Sequence, residues 1–326
     1  MKAIVQYKYG SPDVLELQEV DKPVVQDDQV LVRVQTASVN PLDWHYLRGT
    51  PRFARLEMGL LKPKNRILGA DIAGRVESVG RDVTQFQPGD EVFGASERLG
   101  AFAEYVCVTE NAFALKPTST TFEEAAAVPV AAVTALQGLR DKGQIQPGQR
   151  VLINGASGGV GTFAVQIGKS LGAEVTGVCS TRNLEMVRLI GADHVVDYTQ
   201  EDFTQNGQRY DLIIDAVGNR SVSDLKRALS PKGTCVIIGF SSLALLFQAM
   251  FLGPWMSLIG SKKIGLMGTV KPNSKDLDFM KELLDAGKVV PVIDRRYPLS
   301  EVAEAIRYLE EGHARGKVVI TVEHKK

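Results

Sequence analysis

The sequence has few of the residues that usually hold metals or crosslink a chain: three cysteines and four histidines in 326 residues. Cys107, Cys179 and Cys235 stand far apart, form no CxxC pair, and are too few to hold a structural zinc by themselves. They give no disulfide framework either, which suits a reducing compartment and makes the cytoplasm the expected location. His45, His194, His313 and His324 show no ligand spacing. Excess charge is also missing. Lys plus Arg and Asp plus Glu are 38 each, so the chain lacks the electrostatic footprint of a nucleic-acid binder. The first residues, Met1 to Tyr7, read as a strand and not as a signal peptide.

One uncharged run needs weighing as a membrane candidate, VIIGFSSLALLFQAMFLGPWMSLIG from Val236 to Gly260. It is long enough to span a bilayer, but its start continues a strand pattern and Gly253-Pro254 interrupts its second half. It reads as a buried strand followed by helices at a pocket or subunit interface, with a peripheral membrane contact as the alternative. No spanning segment is expected.

What is present is a globular composition, 44% hydrophobic and 23% charged, with length for two domains. Residues 1–119 read as β-rich with many turns, including strands at Val30–Val34 and Gly74–Val79. No strong helical period precedes Phe122. From Gln149 the pattern alternates strand and helix. Apolar runs at 150–154, 174–179, 194–197, 211–216 and 234–238, spaced by helical segments, predict an α/β fold with a doubly wound parallel sheet. After about residue 263 a helix (276–286), a strand (292–296), a helix (300–311) and a strand (318–322) are expected, with a frayed tail from His324.

The strongest local signal is Asn154-Gly155-Ala156-Ser157-Gly158-Gly159-Val160-Gly161. It follows an apolar strand and opens a helix, the context in which a Gly-rich turn binds a dinucleotide. Ala156, Ser157, Gly158, Gly159 and Val160 would lie along a pyrophosphate, with the helix N-terminus supplying N–H groups; Gly161 would let the helix pack closely. Cofactor choice is read at the end of the next strand, where NAD sites place an acid on the ribose 2′-hydroxyl. Here the residues are Cys179-Ser180-Thr181-Arg182-Asn183, with no carboxylate. Ser180 and Arg182 can donate to a 2′-phosphate, which favours NADPH. Ala216, Val217 and Gly239 fall at later strand ends, where open α/β sheets bind ligands.

With Gly148–Gly161 continuing to Gln166 and Lys169, the chain resembles the medium-chain dehydrogenase/reductase superfamily, and within it the quinone oxidoreductase (ζ-crystallin) branch. Ala37–Asp43, Gly69–Gly74, Pro129–Leu136 and Gly312–Lys317 extend the likeness along the chain. The resemblance implies a GroES-like β-rich catalytic domain from residues 1–119 and 264–326, an inserted Rossmann domain from 120–263, a cofactor in the cleft between them, and a homodimer. It also assigns Asn40 near the nicotinamide ribose, Thr134 to the carboxamide, Tyr198 beside the 2′-phosphate and Lys317 to the cofactor, with a domain-edge lysine that snorkels as the alternative for Lys317. In zinc-dependent relatives a Cys ligand falls at Asn40, a His-Glu pair at Ala70-Asp71 and a further Cys near Val130. These ligand types are gone, so no metal site is expected.

Substrate contacts are expected from a loop after Asn40 carrying Trp44, Tyr46 and Arg48, with Tyr46 as hydrogen-bond or proton donor to a carbonyl oxygen. Phe53, Phe240 and Trp255 would add an apolar wall. The resulting expectation is hydride transfer from NADPH to a small-molecule quinone or α,β-unsaturated carbonyl compound without zinc. The alternatives are an NADP-linked alcohol or aldehyde dehydrogenase-reductase, a non-catalytic NADPH-binding protein, and a carrier-bound enoyl reductase domain, against which the absence of synthase flanks counts.

Overall fold

The structure, a computed structural model, describes residues 1–324, without the side chains of 255–259. In chain order the first part holds β1 (Lys2–Val5), β2 (Glu16–Glu19), β3 (Gln29–Val39), α1 (Pro41–Arg48), α2 (Arg55–Met58), β4 (Asp71–Val79), β5 (Glu91–Ala95), β6 (Tyr105–Thr109) and β7 (Phe113–Leu115). Then come α3 (Phe122–Ala126), α4 (Pro129–Gln137), β8 (Arg150–Asn154), α5 (Gly159–Ser170), β9 (Glu174–Cys179), α6 (Leu184–Leu189), β10 (His194–Asp197), β11 (Tyr210–Asp215), α7 (Val222–Ala228), β12 (Leu229–Ile237), α8 (Leu243–Ile259) and β13 (Lys263–Leu266). The chain ends with α9 (Ser274–Asp285), β14 (Ile293–Pro298), α10 (Val302–Glu310) and β15 (Lys317–Thr321).

Two compact units result: residues 1–133, 271–287 and 291–326 form one, and 134–270 with 288–290 form the other. The expected edges were 119/120 and 263/264. The first division falls later because α3 packs on β3, β4, β5 and β15 of the first unit. Residues 288–290 join the second unit through Gln166, which donates to Val290 O at 3.0 Å and accepts from Val290 N at 2.7 Å.

The first unit is built on a seven-stranded sheet, β14-β15-β3-β4-β5-β7, with β6 also pairing β3. All pairs but β14–β15 are antiparallel. Its core joins Val32, Ile72, Phe102, Phe113, Ile306 and Ile320. Three expectations change here. The residues after Asn40 form a helix and not a loop, because Asn40 is its N-cap, Pro41 stands at N1, and Asp43 reaches back to the Asn40 N–H at 2.8 Å. Helical structure therefore begins well before Phe122. The chain end is anchored at His324, whose Nε2 lies 2.7 Å from Val34 O; Lys325 and Lys326 lie outside the described residues.

The second unit holds one parallel six-stranded sheet, β10-β9-β8-β11-β12-β13. The order reverses beside β8, the arrangement that opens a ligand crevice at the carboxyl ends of the strands. The sixth strand, β13, was not expected: four residues beginning at a lysine and including Gly265 carry little strand signal. The uncharged run is strand β12 and then a single helix, α8, which continues through Pro254. Gly253 lets that helix approach β13, since a Cβ there would sit 2.8 Å from Ile264 O. Among the described residues no helix is long and apolar enough to cross a membrane. Where α5 leaves β8, a Cβ on Gly161 would fall 2.0 Å from Gly155 O, so only glycine allows this crossing.

Candidate functional site

In the second unit the Gly-rich turn lies at the carboxyl end of β8. Gly155 takes the left-handed conformation (φ 86°), which only glycine adopts without strain. Gly158 is the N-cap of α5 and offers no side chain to the first-turn N–H groups, and no acid stands in that turn. Those N–H groups have no partner within the helix and carry the positive end of its dipole. A Cβ on Gly158 would meet nothing nearer than Gly155 O at 3.5 Å, so the turn is open there. A dinucleotide pyrophosphate fits this combination of open backbone and unsatisfied donors.

The neighbouring strand ends are held by a carboxylate that sequence reasoning missed. Asp215, fully buried at the end of β11, accepts from Asn154 Nδ2 at 2.8 Å, Gly218 N at 2.9 Å and Val217 N at 3.2 Å. Burial raises its pKa, against these hydrogen bonds. It shapes the turn that carries Ala216 and Val217, and Gly239 presses against it: a Cβ on Gly239 would lie 2.4 Å from Ala216 O. The signal was a buried acid at a strand end followed by small residues.

At the end of β9, Ser180 is half-buried and Arg182 exposed. Asn183 joins Ser180 to the turn. Its Nδ2 donates to Ser157 Oγ at 3.0 Å and to Ser180 Oγ at 3.3 Å. Tyr198 is 53% exposed, and its N–H donates to Cys179 O at 3.1 Å. One strand over, Asp197 pairs in register with Cys179. Its Oδ2 accepts from the Thr181 hydroxyl at 2.5 Å and its Oδ1 from the Thr199 hydroxyl at 2.8 Å, which hold its pKa below the usual carboxylate range. Thr134 is buried in α4.

In the first unit the chemistry centres on Asp71, fully buried at the start of β4. Its Oδ2 accepts from Ser38 Oγ at 2.5 Å, Asn40 Nδ2 at 2.8 Å and Lys317 Nζ at 3.2 Å; Oδ1 accepts from Val130 N at 2.8 Å. Lys317 also donates to Asn40 Oδ1 at 2.6 Å and Val39 O at 3.3 Å. It is 2% exposed, so it does not snorkel at an edge. The two ends of the Asn40 carboxamide are thus fixed by a cation and an anion. Asp43 accepts from Asn40 N and, at 3.0 Å, from Gly69 N. Burial, opposed by these bonds, pushes its pKa up to about 7.

Tyr46 lies on α1, partly buried against the core, and its hydroxyl has no hydrogen-bond partner among the described residues. Burial and then Glu57 raise its pKa, so it is held as a neutral phenol able to donate. Trp44 stacks on His45 at 3.7 Å between ring centroids. Arg48 is not a free substrate contact: it forms a bidentate pair with Glu310 on α10, because the helix carries it to that face. Phe53 is 55% exposed, Phe240 is half-buried, and the Trp255 side chain lies outside the described residues. Among the described residues no group of three His, Cys, Asp or Glu is placed to hold a metal.

These units match known proteins along nearly their whole length. Residues 26–118 match the alcohol dehydrogenase GroES-like domain, and residues 190–320 match a family described as zinc-binding dehydrogenase. The chain is 36% identical to the mitochondrial NAD(P)H oxidoreductase RTN4IP1 of Mus musculus, covering 99% of this chain and 89% of that protein. It is 33% identical to the chloroplastic NADPH-dependent alkenal/one oxidoreductase of Arabidopsis thaliana, covering 98% and 79%. The quinone oxidoreductase of Coxiella burnetii superposes with a TM-score of 0.87 at 30% identity, covering 99% of each chain. The chain belongs to the medium-chain dehydrogenase/reductase superfamily, in its quinone and enone reductase branch.

Two measurements check the buried network. Lys317→Met leaves Asp71 charged and buried without its cation, and should cost about 3–5 kcal/mol in urea unfolding; a loss below about 1 kcal/mol would show that the ammonium does not compensate the carboxylate. Asp43 should titrate near pH 7 in a carboxyl carbon NMR titration of the folded chain. The folded state then holds a proton that the unfolded chain releases near pH 4, so Asp43 makes stability fall as pH rises from about 4 to about 7. A midpoint below pH 5 would contradict this.

Proposed function

We propose that the chain is an NADPH-dependent, zinc-independent oxidoreductase that transfers hydride to quinones or α,β-unsaturated carbonyl compounds. The observation that carries this reading is the open Gly-rich turn entering the uncapped α5, beside a β9 end with Ser180 and Arg182 and no acid. The first-turn N–H groups, with Ala156 to Val160, hold the pyrophosphate. Ser180, Arg182 and Tyr198 surround the 2′-phosphate; Ala216, Val217, Gly239 and Thr134 are assigned along the rest of the cofactor. When bound, the cofactor supplies a hydride equivalent to an electron-poor carbon.

The chain's own part is orientation and charge. Asn40, clamped between Lys317 and Asp71, offers its second Nδ2 hydrogen to a ligand oxygen. Tyr46, kept protonated by burial, donates to the substrate oxygen as negative charge develops there and is the proposed proton donor. At the positions where zinc relatives place ligands, Asp71 is already paired with an ammonium. This favours activated acceptors over simple alcohols, which benefit from a metal-held alkoxide. Buried free Cys179 and Cys235 suit a reducing compartment, which we read as cytoplasmic, although the relatives named above include mitochondrial and chloroplastic proteins. A homodimer is the proposed assembly.

NADPH oxidation across quinones, enones and aldehydes tests the reading: quinones or enones should support turnover, aldehydes should not, and chelator treatment should leave the rate unchanged. Arg182→Asp should raise the Michaelis constant for NADPH by about 10- to 100-fold through lost charged hydrogen bonds, and that for NADH far less. Turnover of aldehydes alone, loss of activity to chelator, or equal shifts for both cofactors would each count against it.

A further inference from the structure

Asn183 is 5% exposed, and both serines of the nucleotide site receive their hydrogen bonds from it. It is itself placed by its backbone N–H, which donates to Ser180 O at 2.8 Å across the turn after β9. A carboxamide nitrogen carries two hydrogens, and here one goes to Ser157 Oγ and the other to Ser180 Oγ. Each serine oxygen is therefore an acceptor toward Asn183. Its own hydrogen must point elsewhere, and neither hydroxyl has an acceptor among the described residues. The other end of the amide, Asn183 Oδ1, is buried with no partner. Two outward hydroxyl donors on adjoining turns are the pattern of a site completed by an acceptor ligand.

We propose that Asn183 is a specificity-determining residue: it turns the Ser157 and Ser180 hydroxyls outward as donors and so sets the site to bind phosphate oxygens. This rests on the reading of the turn as an NADP site, and deepens it. A free ribose 2′-hydroxyl needs an acceptor for its hydrogen, which NAD sites supply with a carboxylate. Here the amide has claimed one lone pair on each serine, and the neighbouring carboxylate, Asp197, is occupied by Thr181 and Thr199. Besides one buried acceptor, Asn183 Oδ1, the site offers hydroxyl hydrogens and the Arg182 cation, and a 2′-phosphate uses both of these. Asn183 thus acts through the serines. The signal in the sequence was an Asn closing a Ser-Thr-Arg-Asn run at a strand end, a pattern that passes equally for a helix start.

Asn183→Asp is the informative change. A carboxylate only accepts, so both serine hydroxyls would turn inward to it, and a negative charge would join the site. Calorimetric titration of the purified full chain with NADPH and with NADH, free of any turnover, reads the outcome. The ratio of the NADH to the NADPH dissociation constant should fall at least about tenfold, mostly through loss of NADPH affinity. Ser180→Ala, which leaves Asn183 in place and threatens folding less, should weaken NADPH about tenfold and NADH about twofold or less. If Asn183→Asp and Ser180→Ala weaken both cofactors alike while the native chain prefers NADPH, the assignment to Asn183 is wrong and the cofactor reading stands. If the native chain binds NADH as tightly as NADPH, the cofactor reading itself fails and takes the assignment with it.

Discussion

A carboxylate with no exposure to water must be compensated or it destabilises the fold, and Asp71 is compensated from four directions. Ser38 comes from β3, Asn40 from the cap of α1, Lys317 from β15, and the Val130 N–H from the start of α4. These segments are distant in sequence, and all meet on one residue at the start of β4. The central strands of the first unit and its first helix are therefore registered on a single charge. The same bonds fix the Asn40 carboxamide, so a structural requirement also orients a group proposed to face the ligand. Two buried ions need not add net stability over apolar packing. What they add here is a unique orientation.

The second unit follows the opposite logic. Where both oxygens of Asp71 are engaged, the ends of β8 and β9 gather groups that lack partners: the first-turn N–H groups of α5, the hydroxyl hydrogens of Ser157 and Ser180, and Asn183 Oδ1. Most of these groups are donors on partly exposed residues. Their gathering beside glycines that keep the backbone open is the physical argument that a phosphate-rich ligand belongs there. Asp215 supports that end from below by closing the turn after β11.

Much of this was legible in the sequence, and the limits have identifiable causes. Runs such as Arg150–Asn154 and Asp211–Ala216 stand out because a strand covered on both faces is apolar throughout. The Gly-rich turn was readable because Gly155 and Gly161 have steric reasons, Gly161 above all. Helix α1 was missed because an Asn-Pro pair signals a turn as readily as a cap, although Asp43 at N3 completed the capping pattern. β13 escaped because four half-polar residues at a sheet edge need their neighbour to become a strand. Partnerships across long separations were not readable: Lys317 with Asp71 joins residues 246 apart, and Arg48 with Glu310 joins residues 262 apart. Local pattern carries no information about such pairs. The role of Asn183 needed atomic donors and acceptors, which spacing alone does not give.

The reaction itself is tested most directly by following the hydride. The native chain would be given NADPH carrying deuterium at both C4 positions and a simple enone, and the product examined by NMR. Reduction of an activated carbon–carbon double bond requires one deuterium at the β-carbon of a saturated ketone, with the α-proton taken from solvent. Deuterium at the carbonyl carbon of an allylic alcohol would contradict it, and would place the chain among carbonyl reductases instead. So would a rate of NADPH loss, with enone and quinone alike, no greater than without the protein.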